Sequence, residues 1–139
     1  MNPIRVYRYM TPTPVTVGRD QTLAVALELM RDHRVRHLPV LDGGALVGIV
    51  TERDVRLVES AGADPKTTLV EEAMTPEPYV VTAGTLLREV AEEMVAHKYG
   101  CAVVTERGRV VGIFTTIDAL RALLELEHQS SMQLRRVST

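Results

Sequence analysis

The sequence predicts a duplicated α/β fold of the α+β kind, two tandem β-α-β-β-α units with one small sheet each, in 139 residues. Three observations predict it. Met10-Thr11-Pro12 recurs as Met74-Thr75-Pro76, a shift of 64 residues, and the same shift carries Gly48-Ile49-Val50-Thr51 onto Gly112-Ile113-Phe114-Thr115 and Asp54 onto Asp118, with no gap between Met10 and Leu120. Leu23, Ala26, Leu27 and Met30 stand at i, i+3, i+4 and i+7, one face of a helix, and shift onto Leu87, Val90, Ala91 and Met94. Asp42-Gly43-Gly44, between two apolar runs, is a hairpin signal.

Each element follows in order. Short segments of helical character, Ile4 to Tyr9 and Leu69 to Ala73, lead into the two Met-Thr-Pro sequences. Val15-Thr16-Val17, and Tyr79-Val80-Val81 in the second copy, are short strands after Pro-containing stretches. A helix runs from Thr22 to His33, a buried strand from His37 to Leu41, its return strand from Ala45 to Val50, and a second helix from Glu52 to about Ala61. In the second copy Val103-Val104, the Arg107-Gly108 turn and Arg109 to Phe114 repeat the hairpin, and the last helix runs from Thr116 to Glu127. Gly62-Ala63-Asp64-Pro65-Lys66 interrupts the pattern as a linker.

The expected organisation is a first repeat with lead-in helix and linker over 1–66, a second repeat over 67–127, and a polar C-terminal tail over 128–139 that contains Arg135-Arg136. A repeat of about sixty residues buries only a marginal core by itself. The two copies are therefore expected to pack sheet against sheet as one cooperative unit.

Composition narrows the function classes. Hydrophobic residues at 45% and charged residues at 24% suit a soluble globular chain. A net charge of −2 supplies no basic field, and aromatics at 4% with no Trp supply no base-stacking platform, so both weigh against nucleic acid as a partner. Cys101, the only cysteine, lies in the apolar run Cys101-Ala102-Val103-Val104 and reads as a small buried hydrophobe. It excludes an internal disulfide and a Cys-rich zinc site, and His33, His37, His97 and His128 include no close pair for a metal. Met1 to Tyr9 lacks the apolar core of a signal peptide, and no apolar stretch reaches the ~20 residues that span a bilayer. The expectation is a cytoplasmic protein with no membrane partner.

The chemistry-bearing pattern is Thr-x-x-Asp, Thr51…Asp54 and Thr115…Asp118, each where a strand passes into a helix. Two readings stay open. Thr at the N-cap with an acid at N3 is a capping box, whose cap contributes about 1 kcal/mol. The same helix start offers free amides and a positive dipole end to a phosphate, while the Asp can accept from ribose hydroxyls. No phosphate-cradling Gly-x-x-x-x-Gly-Lys loop, Gly-x-Ser-x-Gly elbow or His-Glu-x-x-His helix occurs, and no facing carboxylate pair is expected. The chain is expected not to be an enzyme.

Taken together, the Met-Thr-Pro lead-ins, Leu38-Pro39-Val40, Gly48-Ile49-Val50-Thr51-Glu52-Arg53-Asp54 and Gly112-Ile113-Phe114-Thr115-Thr116-Ile117-Asp118 resemble the cystathionine-β-synthase-type (CBS) domain, from about Val6 to Leu124. The resemblance implies a Bateman module: two β-α-β-β-α repeats related by a pseudo-twofold axis, with two clefts between them. The implied ligand is AMP, ADP, ATP or S-adenosylmethionine, held as a regulatory ligand rather than a cofactor. A homodimer and an unidentified effector protein are the implied partners. One cleft would be formed by Ile113, Thr115 and Asp118 with Thr13, Val15, Val35 and Arg36 from the first copy. The other would be formed by Ile49, Thr51, Arg53 and Asp54 with Glu77, Tyr79, Tyr99 and Gly100 from the second. Arg36-His37-Leu38-Pro39 is similar to the basic pair that holds phosphates in nucleotide-sensing relatives.

The copies differ at three of these positions. Arg36, His37 and Arg53 shift onto Gly100, Cys101 and Ile117, so the clefts are expected to be unequal toward a phosphate. A ligand-free dimerisation or interaction module on the same fold is the alternative.

Overall fold

The computed structural model describes residues 2–138, and its elements follow the duplicated pattern. In the first half, β1 (Thr11–Pro12) follows a single 3-10 turn at Val6–Arg8, in place of the expected lead-in helix. After it come β2 (Val17–Gly18), α1 (Leu23–His33), β3 (His37–Asp42), β4 (Ala45–Thr51) and α2 (Glu52–Ser60). The second half holds α3 (Val70–Ala73), β5 (Thr75–Pro76), β6 (Val80–Thr82), α4 (Leu87–His97), β7 (Cys101–Glu106), β8 (Arg109–Thr115) and α5 (Thr116–Ser138).

Local signals set these boundaries. Thr22 caps α1 by accepting from the Val25 N–H at 3.3 Å, and Arg34 ends it in the left-handed conformation, as Lys98 ends α4. The hairpin turns carry positive φ at Gly43 and Gly44 and again at Arg107 and Gly108, the backbone that matches strand twist in a two-residue turn. The strands expected at 15–17 and 79–81 form one or two residues later, where Val17 and Val81 are buried. The last helix does not stop at Glu127. The tail continues it to Ser138, rich in good helix formers, with a Gln129 to Glu125 hydrogen bond one turn apart.

The sheets interlace the two halves. One sheet has the order β2-β3-β4-β5 and the other β1-β8-β7-β6, so each Met-Thr-Pro strand pairs with the hairpin of the opposite copy. Thr11 stands opposite Ile113 and Pro12 opposite Gly112, while Thr75 stands opposite Ile49 and Pro76 opposite Gly48. The repeated glycines are explained by this crossing. A methyl on Gly48 would lie 2.7 Å from Met74 Sδ and 2.9 Å from the Thr75 carbonyl oxygen, and one on Gly112 would meet the Met10 side chain.

Three apolar clusters result. The helix side of the first sheet buries Leu23, Leu38, Val50 and Val55 together with Val70 from the second lead-in. The helix side of the second buries Val90, Val104 and Phe114 together with Val6 from the first lead-in. Ile49, Cys101, Val103 and Ile113 fill the seam between the sheets. Full burial of a valine such as Val70 contributes about 1.5–3 kcal/mol, so each lead-in matters to the half it joins.

Candidate functional site

Both Thr-x-x-Asp sequences form capping boxes. At α2 the Asp54 N–H donates to Thr51 Oγ1 at 3.1 Å and the Thr51 N–H donates to Asp54 Oδ2 at 3.0 Å. At α5 the Asp118 N–H donates to Thr115 Oγ1 at 3.4 Å and the Thr115 N–H to Asp118 Oδ2 at 2.9 Å.

Beyond the box the two carboxylates differ. Asp118 is 3% exposed, and it also accepts from the hydroxyls of Thr115, on Oδ2 at 3.2 Å, and of Thr11, on Oδ1 at 3.0 Å, with Arg121 Nη1 3.7 Å away. Asp54 is half-buried, and nothing among the described residues donates to its Oδ1. Thr75, the counterpart of Thr11, makes no bond to it. Thr11 was not among the expected site residues. Its presence in both Met-Thr-Pro copies marked it, but which acid it would reach depends on the strand crossing.

Near Asp54 the fold brings Gly100 of the expected set beside His37, which the resemblance assigned to neither cleft. His37 pairs with Thr51 in the β3–β4 register, and Gly100 lies so near that a methyl there would be 3.0 Å from His37 Nε2. Burial pushes the His37 pKa down, Asp54 pulls it back up and Arg36 adds to the depression. Tyr99 stacks between Tyr79 and His97, with centroids 5.1 Å apart in each pair. Burial raises the Tyr79 hydroxyl pKa. Arg53 is exposed and unpaired among the described residues, and Glu77 takes a positive φ of 52°. Ile49 lies in the seam between the sheets.

Of the set expected around Asp118, only Thr115 bonds to it among the described residues. Thr13 has a positive φ of 47°, costly for a β-branched residue, and its N–H donates to the Val111 carbonyl at 3.0 Å. Ile113 lies in the seam between the sheets, while Val15 and Val35 pack against the first helix-side core. Arg36 borders a groove between α1 and α2. Cys101 is buried, its thiol pushed up to about 12 by desolvation. Among the described residues no His, Cys, Asp or Glu cluster could hold a metal ion, and no helix is long and apolar enough to cross a membrane.

The CBS domain family matches the chain twice, over residues 6–60 and 70–125. Inosine-5'-monophosphate dehydrogenase of Korarchaeum cryptofilum is 35% identical over 105 residues, which cover 75% of this chain. The chain spans about a fifth of that enzyme's length, 21%. The acetoin utilization protein AcuB from Vibrio cholerae superposes with a TM-score of 0.85 at 31% identity, covering 94% of this chain and 98% of that one. CBSX2 of Arabidopsis thaliana, solved in complex with AMP, gives a TM-score of 0.75 at 28% identity and covers 89% and 98%. The CBS domain pair of protein MJ0100, solved with 5'-methylthioadenosine and S-adenosyl-L-methionine, gives 0.80 at 26% identity and covers 88% and 97%.

Proposed function

This chain belongs to the CBS-domain family as a tandem pair, and we propose that it is a regulatory module without catalytic activity that binds an adenosyl ligand between its repeats and acts on a partner protein. The bound forms of CBSX2, with AMP, and of the MJ0100 pair, with 5'-methylthioadenosine and S-adenosyl-L-methionine, support this ligand class.

The observation that carries the reading is the open Oδ1 of Asp54 against the occupied carboxylate of Asp118. A ribose diol needs an acceptor not already held by the protein. The working site is therefore the cleft of Ile49, Thr51, Arg53 and Asp54 with His37, Tyr99 and Gly100. AMP is preferred there over S-adenosylmethionine, because Arg53 and a protonatable His37 favour an anion over a sulfonium cation.

Calorimetry with AMP tests this. One site per chain is expected. Asp54→Asn should weaken binding at least tenfold, about 1.4 kcal/mol, and Asp118→Asn should leave affinity unchanged. Two equal sites, or indifference to Asp54→Asn, would overturn the assignment. The second reading, a ligand-free interaction module, is favoured by one observation, that both capping boxes are complete without a ligand. Absence of a thermal shift with AMP, ADP, ATP and S-adenosylmethionine would select it.

A further inference from the structure

The two lead-in strands stand in the same register yet treat their neighbouring acids differently. Thr11 lies opposite Ile113 as Thr75 lies opposite Ile49, and each isoleucine is two residues before the threonine of a capping box. Thr11 donates its hydroxyl to Asp118 Oδ1 at 3.0 Å, whereas Thr75 donates nothing to Asp54 among the described residues. β5 keeps its pairing without such a bond, so the crossing itself does not require one.

The difference bears on a ribose. A carboxylate is an acceptor only, and it holds a vicinal diol by accepting from both hydroxyls. In both boxes Oδ2 accepts from the N–H of the capping threonine, which leaves Oδ1 as the oxygen open to a ligand. At Asp118 that oxygen already carries the Thr11 hydroxyl. The residue is only 3% exposed, so a ligand hydroxyl reaches Oδ1 when Thr11 gives way. Thr11 itself is exposed, and a turn of its side chain between rotamers releases the hydroxyl to water without moving β1.

We propose, resting on the adenosyl-ligand reading above, that Thr11 is an autoinhibitory latch. Its hydroxyl stands in for a ribose on Asp118 and lowers the affinity of that cleft, so the two clefts of one chain fill at different ligand concentrations. Calorimetry of the full chain with AMP, and with 2'-deoxy-AMP, which lacks the diol, tests it. In Thr11→Val, close in shape and suited to a strand, a second AMP site should appear, at least about tenfold tighter than any second site of the wild type. Thr11→Ala should match it, and Thr11→Ser, which keeps the donor, should behave as the wild type. Adding Asp118→Asn to Thr11→Val should abolish the new site, and 2'-deoxy-AMP should not reveal it. A new site indifferent to Asp118→Asn, or one that takes 2'-deoxy-AMP equally, would overturn the latch. AMP binding by the wild type with no gain in Thr11→Val would remove the latch and leave the Asp54 cleft. AMP binding only in Thr11→Val, through Asp118, would remove the Asp54 cleft and keep the latch. No AMP binding by either would remove both.

Discussion

His37 shows how one side chain joins stability to ligand. Its neutral ring is favoured in the fold because burial lowers its pKa from 6.5. The unfolded chain therefore takes up a proton that the native chain refuses, and stability rises with pH until the unfolded value is passed. Cooling of the melting temperature between pH 7.5 and 5.5 should accordingly be larger in the wild type than in His37→Gln, by scanning calorimetry. Parallel profiles would refute the burial effect. An AMP phosphate beside the ring would favour the proton instead. The AMP-induced rise in melting temperature should then be larger near pH 6.5 than at pH 8 in the wild type only. Asp118 belongs to the other class of site residue. With two hydroxyl donors besides its cap amide held by the fold, Asp118→Ala should cost about 2 kcal/mol of stability, while ligand affinity stays as it was.

At the scale of elements, the crossing strands β1 and β5 explain why the two copies keep Met-Thr-Pro and Gly-Ile together. The glycine of each hairpin return strand admits the methionine of the opposite lead-in. The two crossings are not equally tolerant. At Gly48 a methyl meets the Thr75 backbone carbonyl as well as Met74 Sδ, whereas at Gly112 the three nearest atoms all belong to the flexible Met10 side chain. Gly48→Ala should thus cost about 1–3 kcal/mol and Gly112→Ala less, read from urea denaturation. The reverse order would mean that Met10 is held more rigidly than the β5 backbone. α5 carries a different message. Ala122 is buried on one face, while Ile117, Leu120, Leu123 and Leu124 are each more than half exposed.

That exposed face bears on the whole molecule. Four large apolar side chains on one helix are more than a single chain needs, and a twofold homodimer through this face is the expected assembly. Sedimentation should give a dimer, and Leu120→Glu with Leu124→Glu a folded monomer, since both side chains lie outside the core. A wild-type monomer at high micromolar concentration would refute it. Interlacing makes a second prediction. Residues 1–66 alone lack Val70 and β5, and residues 67–139 lack Val6 and β1. Losses of that size are a large share of a stability of about 5–15 kcal/mol. Each fragment should be unfolded by circular dichroism, and the whole chain should melt in one transition. A folded 1–66 fragment would contradict the interlaced core.

The duplication, the order of strands and helices, the hairpin turns and the strand-to-helix positions of Thr51 and Thr115 are legible in the sequence. All of these rest on periodicity, turn residues and helix-end chemistry, which act within a few residues. The sequence also marks His37, Asp54 and Gly100; the resemblance put Asp54 and Gly100 in one cleft, and the fold brought His37 to them. That the lead-ins cross to the opposite halves emerges from the folded chain, because pairing between β1 and β8 joins segments about a hundred residues apart and leaves no local periodic trace. The same crossing decided that Thr11 occupies Asp118 while Asp54 keeps a free oxygen. Two identical Thr-x-x-Asp motifs thus become unequal through contacts made by distant strands, which no reading of either motif alone contains.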